Sequence, residues 1–193
     1  MEAAKSRHRR EIYESRSLKV ILPEMNFCRR CGTSLINKKD HVFVCQNGHT
    51  IYANCSPAVA LLLFNHKEEL AVLTRAIDPG KGKLDFPGGF CDGNEPLQDA
   101  VHREIKEEIG VSAQQYTELE FLHSGIDPYD LDGETLSVVA AIFTARCTED
   151  VTLIAADDAA SAEFRPLNDI NLRDIYFPSL RQALTILKER ISA

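Results

Sequence analysis

The sequence predicts an α+β domain carried behind a small cysteine-bearing element, and three observations lead there. Strand-like runs outnumber helical ones along the chain. Only two segments carry a helical period, a central one at residues 95–109 and a terminal one at 178–191. Cys28, Cys31 and Cys45 crowd into a short polar stretch before the first long apolar run. The organisation that follows is a polar N-terminal arm at 1–24, a metal-binding ribbon at 25–55 and a catalytic-size domain at 56–193.

The arm places four basic residues between Arg7 and Arg16 with no apolar periodicity. Residues 25–55 read as short polar pieces with two knuckle-like turns and a brief β-like run at 41–45. Two strands are expected at 58–64 and 70–75, joined by the polar residues 65–69, a span of hairpin-loop length. Five glycines and two prolines in residues 78–93 shape a loop, with at most a short strand near 84–86. In the central helix Leu97, Val101, Ile105 and Ile109 repeat every fourth residue, and Gly110 stands where a C-cap glycine belongs. Strands at 118–124, 136–145 and 163–166 are separated by an acidic loop, 127–134, and an Ala/Asp-rich segment, 155–162. The terminal helix buries a stripe of Leu180, Leu184, Leu187 and Ile191.

Composition narrows the function. Of the 193 residues 44% are hydrophobic and 26% charged, which is globular composition rather than disorder. The longest apolar run, residues 57–64, is far too short to cross a bilayer, and the polar N-terminus lacks the apolar core of a secretory signal. A cytoplasmic protein with reduced thiols is expected, so the six cysteines point to metal ligation rather than disulfides. The net charge of −7 disfavours polyphosphate partners at first sight. Its distribution reverses that: residues 89–111 alone hold six acidic and two basic groups, where cations are expected to sit, while residues 1–88 are net basic.

Cys28 and Cys31 stand two residues apart around a turn closed by Gly32, and Cys45 opens a second knuckle, CQNGH. Structural zinc takes four tetrahedral N or S ligands, and this spacing suits a ribbon. Cys28, Cys31 and Cys45 supply three ligands; the fourth is His49, Cys55 or His41, with His49 first. So polar a segment cannot hold itself together by burial, so the metal would supply its folding energy. Cys147 falls at a strand end as a buried thiol, and Cys91 has no partner at ligand spacing.

On the central helix Glu104, Glu107 and Glu108 lie at i, i+3 and i+4, within a wedge of about 100°. Like charges at those spacings destabilise a helix. They sit at the border of the Val101, Ile105, Ile109 stripe, a placement that makes sense if a hard cation, Mg²⁺ or Mn²⁺, neutralises them. The full pattern, Gly89-x5-Glu95-x7-Arg103-Glu104-Ile105-x-Glu107-Glu108-x-Gly110-Val111, matches the Nudix box at every specified position. With the lead-in Leu84-Asp85-Phe86-Pro87-Gly88-Gly89-Phe90 and the closing Glu163-Phe164-Arg165-Pro166-Leu167, the chain resembles Nudix hydrolases that carry a zinc ribbon.

That resemblance implies an α/β/α sandwich on a mixed sheet and Mg-dependent hydrolysis of a nucleoside diphosphate linked to a second group, such as ADP-ribose, NADH or FAD. It implies Mg²⁺ held by Glu104, Glu107 and Glu108 with a backbone carbonyl near Gly88 or Gly89. Arg103 would orient a catalytic glutamate and Glu95 would support the loop. Glu104 is the first choice for general base, with Glu134 and Glu163 as loop alternatives. NADH-type members carry a second motif containing Trp, and this chain has no Trp, which weakens the NADH reading and the removal of NAD caps from RNA. Phe86, Phe90 and Tyr129 are candidate base platforms, and Arg75, Lys81 and Lys83 candidate phosphate contacts. The partner expected is a small nucleotide; nucleic acid is not, capped RNA excepted, and the family admits a homodimer. The alternative is a regulatory protein that senses a nucleotide without turning it over.

Overall fold

The computed structural model describes residues 25–192; the expected arm at 1–24 lies outside them. Its contacts divide the chain between Ala53 and Asn54. The first unit is a three-stranded antiparallel sheet, β1 (Leu35–Lys39), β2 (Val42–Cys45) and β3 (Thr50–Tyr52), in that order. One face of it packs Phe43, Cys45 and Ile51 with Cys28 and Ala53 into a small cluster.

The second unit contains β4 (Ser56–Phe64), β5 (Glu69–Arg75), β6 (Leu84–Asp85), α1 (Leu97–Ile109), β7 (Glu120–Leu131), β8 (Glu134–Arg146), β9 (Ala159–Pro166) and α2 (Pro178–Ser192). The sheet order is β6-β5-β4-β8-β7, with β9 antiparallel to β5. β4 and β8 run parallel along all nine residues of β4. A parallel strand covered on both faces reads as a continuous apolar run, and β4 divides its side chains between two layers. Ala60, Leu62 and Phe64 meet Leu180, Ala183, Leu184 and Leu187 of α2. Val59, Leu61 and Leu63 meet Ala100, Val101, Ile105 and Ile109 of α1. Helices on opposite faces of a mixed sheet make the α/β/α sandwich expected from the resemblance. No described helix is long and apolar enough to cross a membrane.

Three expectations need correction. Residues 127–134 are not a loop: β7 and β8 continue to a two-residue turn, Asp132-Gly133, both at positive φ, the geometry of a tight hairpin. Pro128, which breaks interior strands, is tolerated because β7 is the sheet edge, and Asp127 turns inward onto Ser179. The stripes also end early. Leu97 and Ile191, expected inside, are 38% and 55% exposed because they sit on terminal helical turns that overhang the sheet. The central helix starts at Leu97 after Pro96, which leaves Glu95 in the preceding loop.

Candidate active site

The glycine-rich lead-in is built as an extra edge on β4. Leu61 donates to the Pro87 carbonyl at 2.8 Å, Val59 to the Gly89 carbonyl at 2.9 Å, and Cys91 to the Pro57 carbonyl at 3.1 Å. So close an approach excludes side chains: a Cβ on Gly88 (φ +152°) would lie 2.2 Å from the Val59 carbonyl oxygen. One on Gly89 would lie 2.7 Å from the Glu104 carboxylate. The loop backbone and the first turns of α1 are thereby pressed together.

Arg103 ties this junction. Its Nε and Nη2 donate to the two Glu95 oxygens at 2.9 Å each, and Nη2 also to the Phe90 carbonyl at 2.9 Å. Its Nη1 reaches Glu104 at 2.7 Å and Glu107 at 3.0 Å. These bonds raise the guanidinium above its ordinary value and hold the Glu95 carboxyl below its own.

The three box glutamates separate in space. Glu104 and Glu108 are buried and line a cavity of about 320 Å³; Glu107 is half-exposed and outside its wall. Glu108 accepts one hydrogen bond, from the Gly88 N–H at 2.8 Å, and forms no salt bridge among the described residues. Burial, opposed by that bond and reinforced by the charges of Asp85, Glu104 and Asp157, pushes its carboxyl up to about 8. Burial raises Glu104 as well, against the pull of Arg103. Two buried carboxylates with too little positive charge, offering only oxygen atoms, fit a hard divalent cation. The Gly89 carbonyl spends one lone pair on Val59 and keeps a second for such an ion.

Arg75 lines the same cavity but is committed within the protein. It donates to Asp85 at 2.6 Å and to the Pro79 carbonyl at 2.6 Å, and its guanidinium lies 5.1 Å from the Phe177 ring centre. Phe86 is only 2% exposed and packs in the α2-side core, so its ring floors the cavity instead of offering a free face. Tyr129 lies on the wall, with Phe177 nearly parallel at 6.1 Å between centres and Phe90 edge-on at 5.2 Å. Lys81 and Lys83 are exposed and outside the wall, as is Glu163, which pairs with Arg165 on β9; Glu134 at the start of β8 is half-buried and also outside the wall.

The sequence reading missed Asp85, Asp127, Asp157, Asp158 and Phe177, all of which line the cavity. The loop that carries Asp157 is fastened to the end of α1: Ala156 donates to the Glu108 carbonyl at 3.0 Å and Ile154 to that of Ile109 at 3.1 Å. Only the Asp-Asp pair within an Ala-rich stretch hinted at it, and no spacing linked that pair to the box.

In the first unit the ligand atoms of Cys28, Cys31, Cys45 and His49 all lie within 4.8 Å of one another. Cys31 and Cys45 Sγ are 3.7 Å apart, and Cys28 Sγ is 3.6 Å from His49 Nδ1. Tetrahedral zinc with bonds of about 2.0–2.3 Å needs ligand separations of this order, so the cluster fits a zinc ribbon and His49 completes it. Cys55 instead meets Ser137, and the His41 ring packs near Tyr52.

Comparison with known proteins agrees with this arrangement. The NUDIX domain profile matches residues 56–184. A Methanocaldococcus jannaschii protein described as an ADP-ribose pyrophosphatase is 32% identical over 148 residues, covering 75% of this chain and 78% of that protein. The NAD-capped RNA hydrolase NudC of Chromobacterium violaceum is 34% identical over 92 residues, 46% of this chain and 33% of its own. A solved NUDIX hydrolase from Nitrosomonas europaea shares the fold with a TM-score of 0.65 at 23% identity, covering 88% of this chain and 94% of that one. The glycine loop, the arginine-tied box and the profile match across most of the second unit converge: this chain belongs to the Nudix hydrolase family.

Proposed function

We propose that the protein is a Mg²⁺-dependent pyrophosphohydrolase that splits the diphosphate of a nucleoside diphosphate joined to a second moiety and releases a mononucleotide, with ADP-ribose as the first substrate. The observation that carries this reading is the pair of buried, undercompensated carboxylates Glu104 and Glu108 facing one cavity. The M. jannaschii relative, matched over most of its length, supports ADP-ribose ahead of capped RNA. A divalent cation at this place supplies charge neutralisation of the diphosphate and an acidified water.

The chain's own residues do the rest. Glu108 and the Gly89 carbonyl would hold the cation, joined by Glu107 once it leaves its pair with Arg103, with Glu104 beside them. Glu104, fixed by Arg103 through one carboxylate oxygen, takes the water's proton on the other. Arg103 and Glu95 keep the loop closed against α1, while Tyr129, Phe90 and Phe177 present ring surface to the base. Cys28, Cys31, Cys45 and His49 hold one structural zinc in the ribbon.

The test is AMP release, followed by chromatography, from ADP-ribose, NAD, NADH, FAD, dinucleoside polyphosphates, nucleoside triphosphates and NAD-capped RNA with Mg²⁺. We expect release from ADP-ribose, and a loss of roughly 100-fold or more in Glu108→Gln. No mononucleotide from any substrate with Mg²⁺ or Mn²⁺ would leave nucleotide sensing as the function.

A further inference from the structure

The three-stranded sheet of the ribbon buries one face and leaves the other open. Cross-strand register defines the open face: Ile36, Val44 and Thr50 form one row, and Lys39, Val42 and Tyr52 the next. Ile36 is 71% exposed and Tyr52 54%. These are large values for apolar and aromatic side chains standing together on one sheet face. The His41 ring lies 5.9 Å from that of Tyr52. Among the described residues, Lys38 and Lys39 are exposed at the β1–β2 hairpin end of this face with Asp40 beside them, and Arg29 and Arg30 are exposed in the Cys28–Gly32 knuckle of the same unit. None of these four cations forms a salt bridge among the described residues.

The charge asymmetry extends beyond the face. Residues 1–53 hold ten basic groups against five acidic, a net +5, whereas residues 54–193 hold twelve against twenty-four, a net −12. An acidic protein therefore keeps nearly half its cations in about a quarter of its length.

We infer that the open ribbon face binds single-stranded nucleic acid. The two requirements of such a surface are aromatic side chains on which bases stack and cations that track the phosphates. Tyr52 meets the first on a strand held rigid by its neighbours. Lys38 and Lys39 meet the second at the hairpin, next to Tyr52 across the Val42 register position. A flat sheet face with an exposed aromatic suits unstacked bases, as in other sheet-based readers of single strands. A protein partner fits less well, because Lys38 and Lys39 beside Tyr52 would have to be desolvated against a matching acidic surface. This binding does not depend on the hydrolysis assigned to the second unit.

The experiment is fluorescence anisotropy with the full-length, zinc-loaded protein and labelled 12-nucleotide oligo(U) and oligo(dT), from 20 to 300 mM salt. Wild type is expected to bind both strands, more weakly as salt rises. Tyr52→Ala should weaken binding about 5-fold or more through lost stacking. The double variant Lys38→Glu/Lys39→Glu should weaken it and also flatten the salt dependence. Retained zinc content and unchanged circular dichroism establish that the variants fold. Equal turnover of ADP-ribose by wild type and variants separates this surface from the active site. No binding at 20 mM salt, or binding indifferent to both substitutions, would overturn the inference. So would a dimer in sedimentation equilibrium that Ile36→Asp dissociates, since a second copy would then own the face.

Discussion

Arg103 makes five hydrogen bonds through three nitrogens, and two of them form a fork on the Glu95 carboxylate. A lysine keeps the charge but has one nitrogen and no fork. Arg103→Lys should therefore lower kcat about 10- to 100-fold with little change in KM, because Glu104 loses its fixed orientation while the rings of Tyr129, Phe90 and Phe177 stay in place; steady-state kinetics would show the split. Asp85 makes a second residue-scale prediction. Burial, only partly opposed by Arg75, lifts its carboxyl from 3.8 to about 6. Because the folded value lies above the unfolded one, Asp85 contributes stability that is fully present below pH 4 and lost as the pH rises through about 6. A carbon-13 titration of its carboxyl should show a midpoint near 6; a midpoint near 4 would mean that the ion pair fully offsets burial. At this scale the sequence showed Glu104 and Glu108 because helical spacing alone brings them together. Asp157 and Phe177 stayed hidden because their nearness to the box is made by tertiary packing across distant segments.

Secondary structure was most legible where one physical signal acted alone. The α1 stripe and its terminal Gly110 are an example: Gly110 sits at φ 72°, and its N–H donates to the Lys106 carbonyl at 3.2 Å. A Cβ there would meet nothing closer than 3.7 Å, from Ile154, so substitution is opposed by the left-handed backbone and not by space. Gly110→Ala should lower unfolding stability by about 1–2 kcal/mol with an unchanged urea m-value. The β7–β8 hairpin was misread because two signals conflicted. Asp127, Pro128 and Asp130 have loop composition, yet Asp127 accepts the Ser179 backbone N–H at 2.9 Å and Pro128 occupies an edge strand. A long-range partner and a place in the sheet order decided the matter, and neither is written in local sequence.

For the molecule as a whole, the first unit keeps its own small cluster, and the two large cores belong entirely to the second. Chelating the zinc proposed for the ribbon, or replacing Cys28 with Ser, should therefore unfold the ribbon while the second unit keeps its cooperative thermal transition; calorimetry would show one transition lost and the other in place. The ribbon, the mixed sheet and the box could all be read from spacing and periodicity. What could not be read was the remainder of the lining of the cavity, which is assembled from eight separate stretches of chain. β4 stands at the centre of that assembly, with alternate side chains in the α1 and α2 layers and the glycine loop along its edge. From Val59 to Phe64 it has no side chain facing water, and so no place along that stretch where mutations can accumulate neutrally. A one-residue insertion would exchange the contents of both layers at once. Over evolutionary time this strand can change only by small apolar swaps matched on both sides, so it should be the slowest-drifting segment outside the catalytic box.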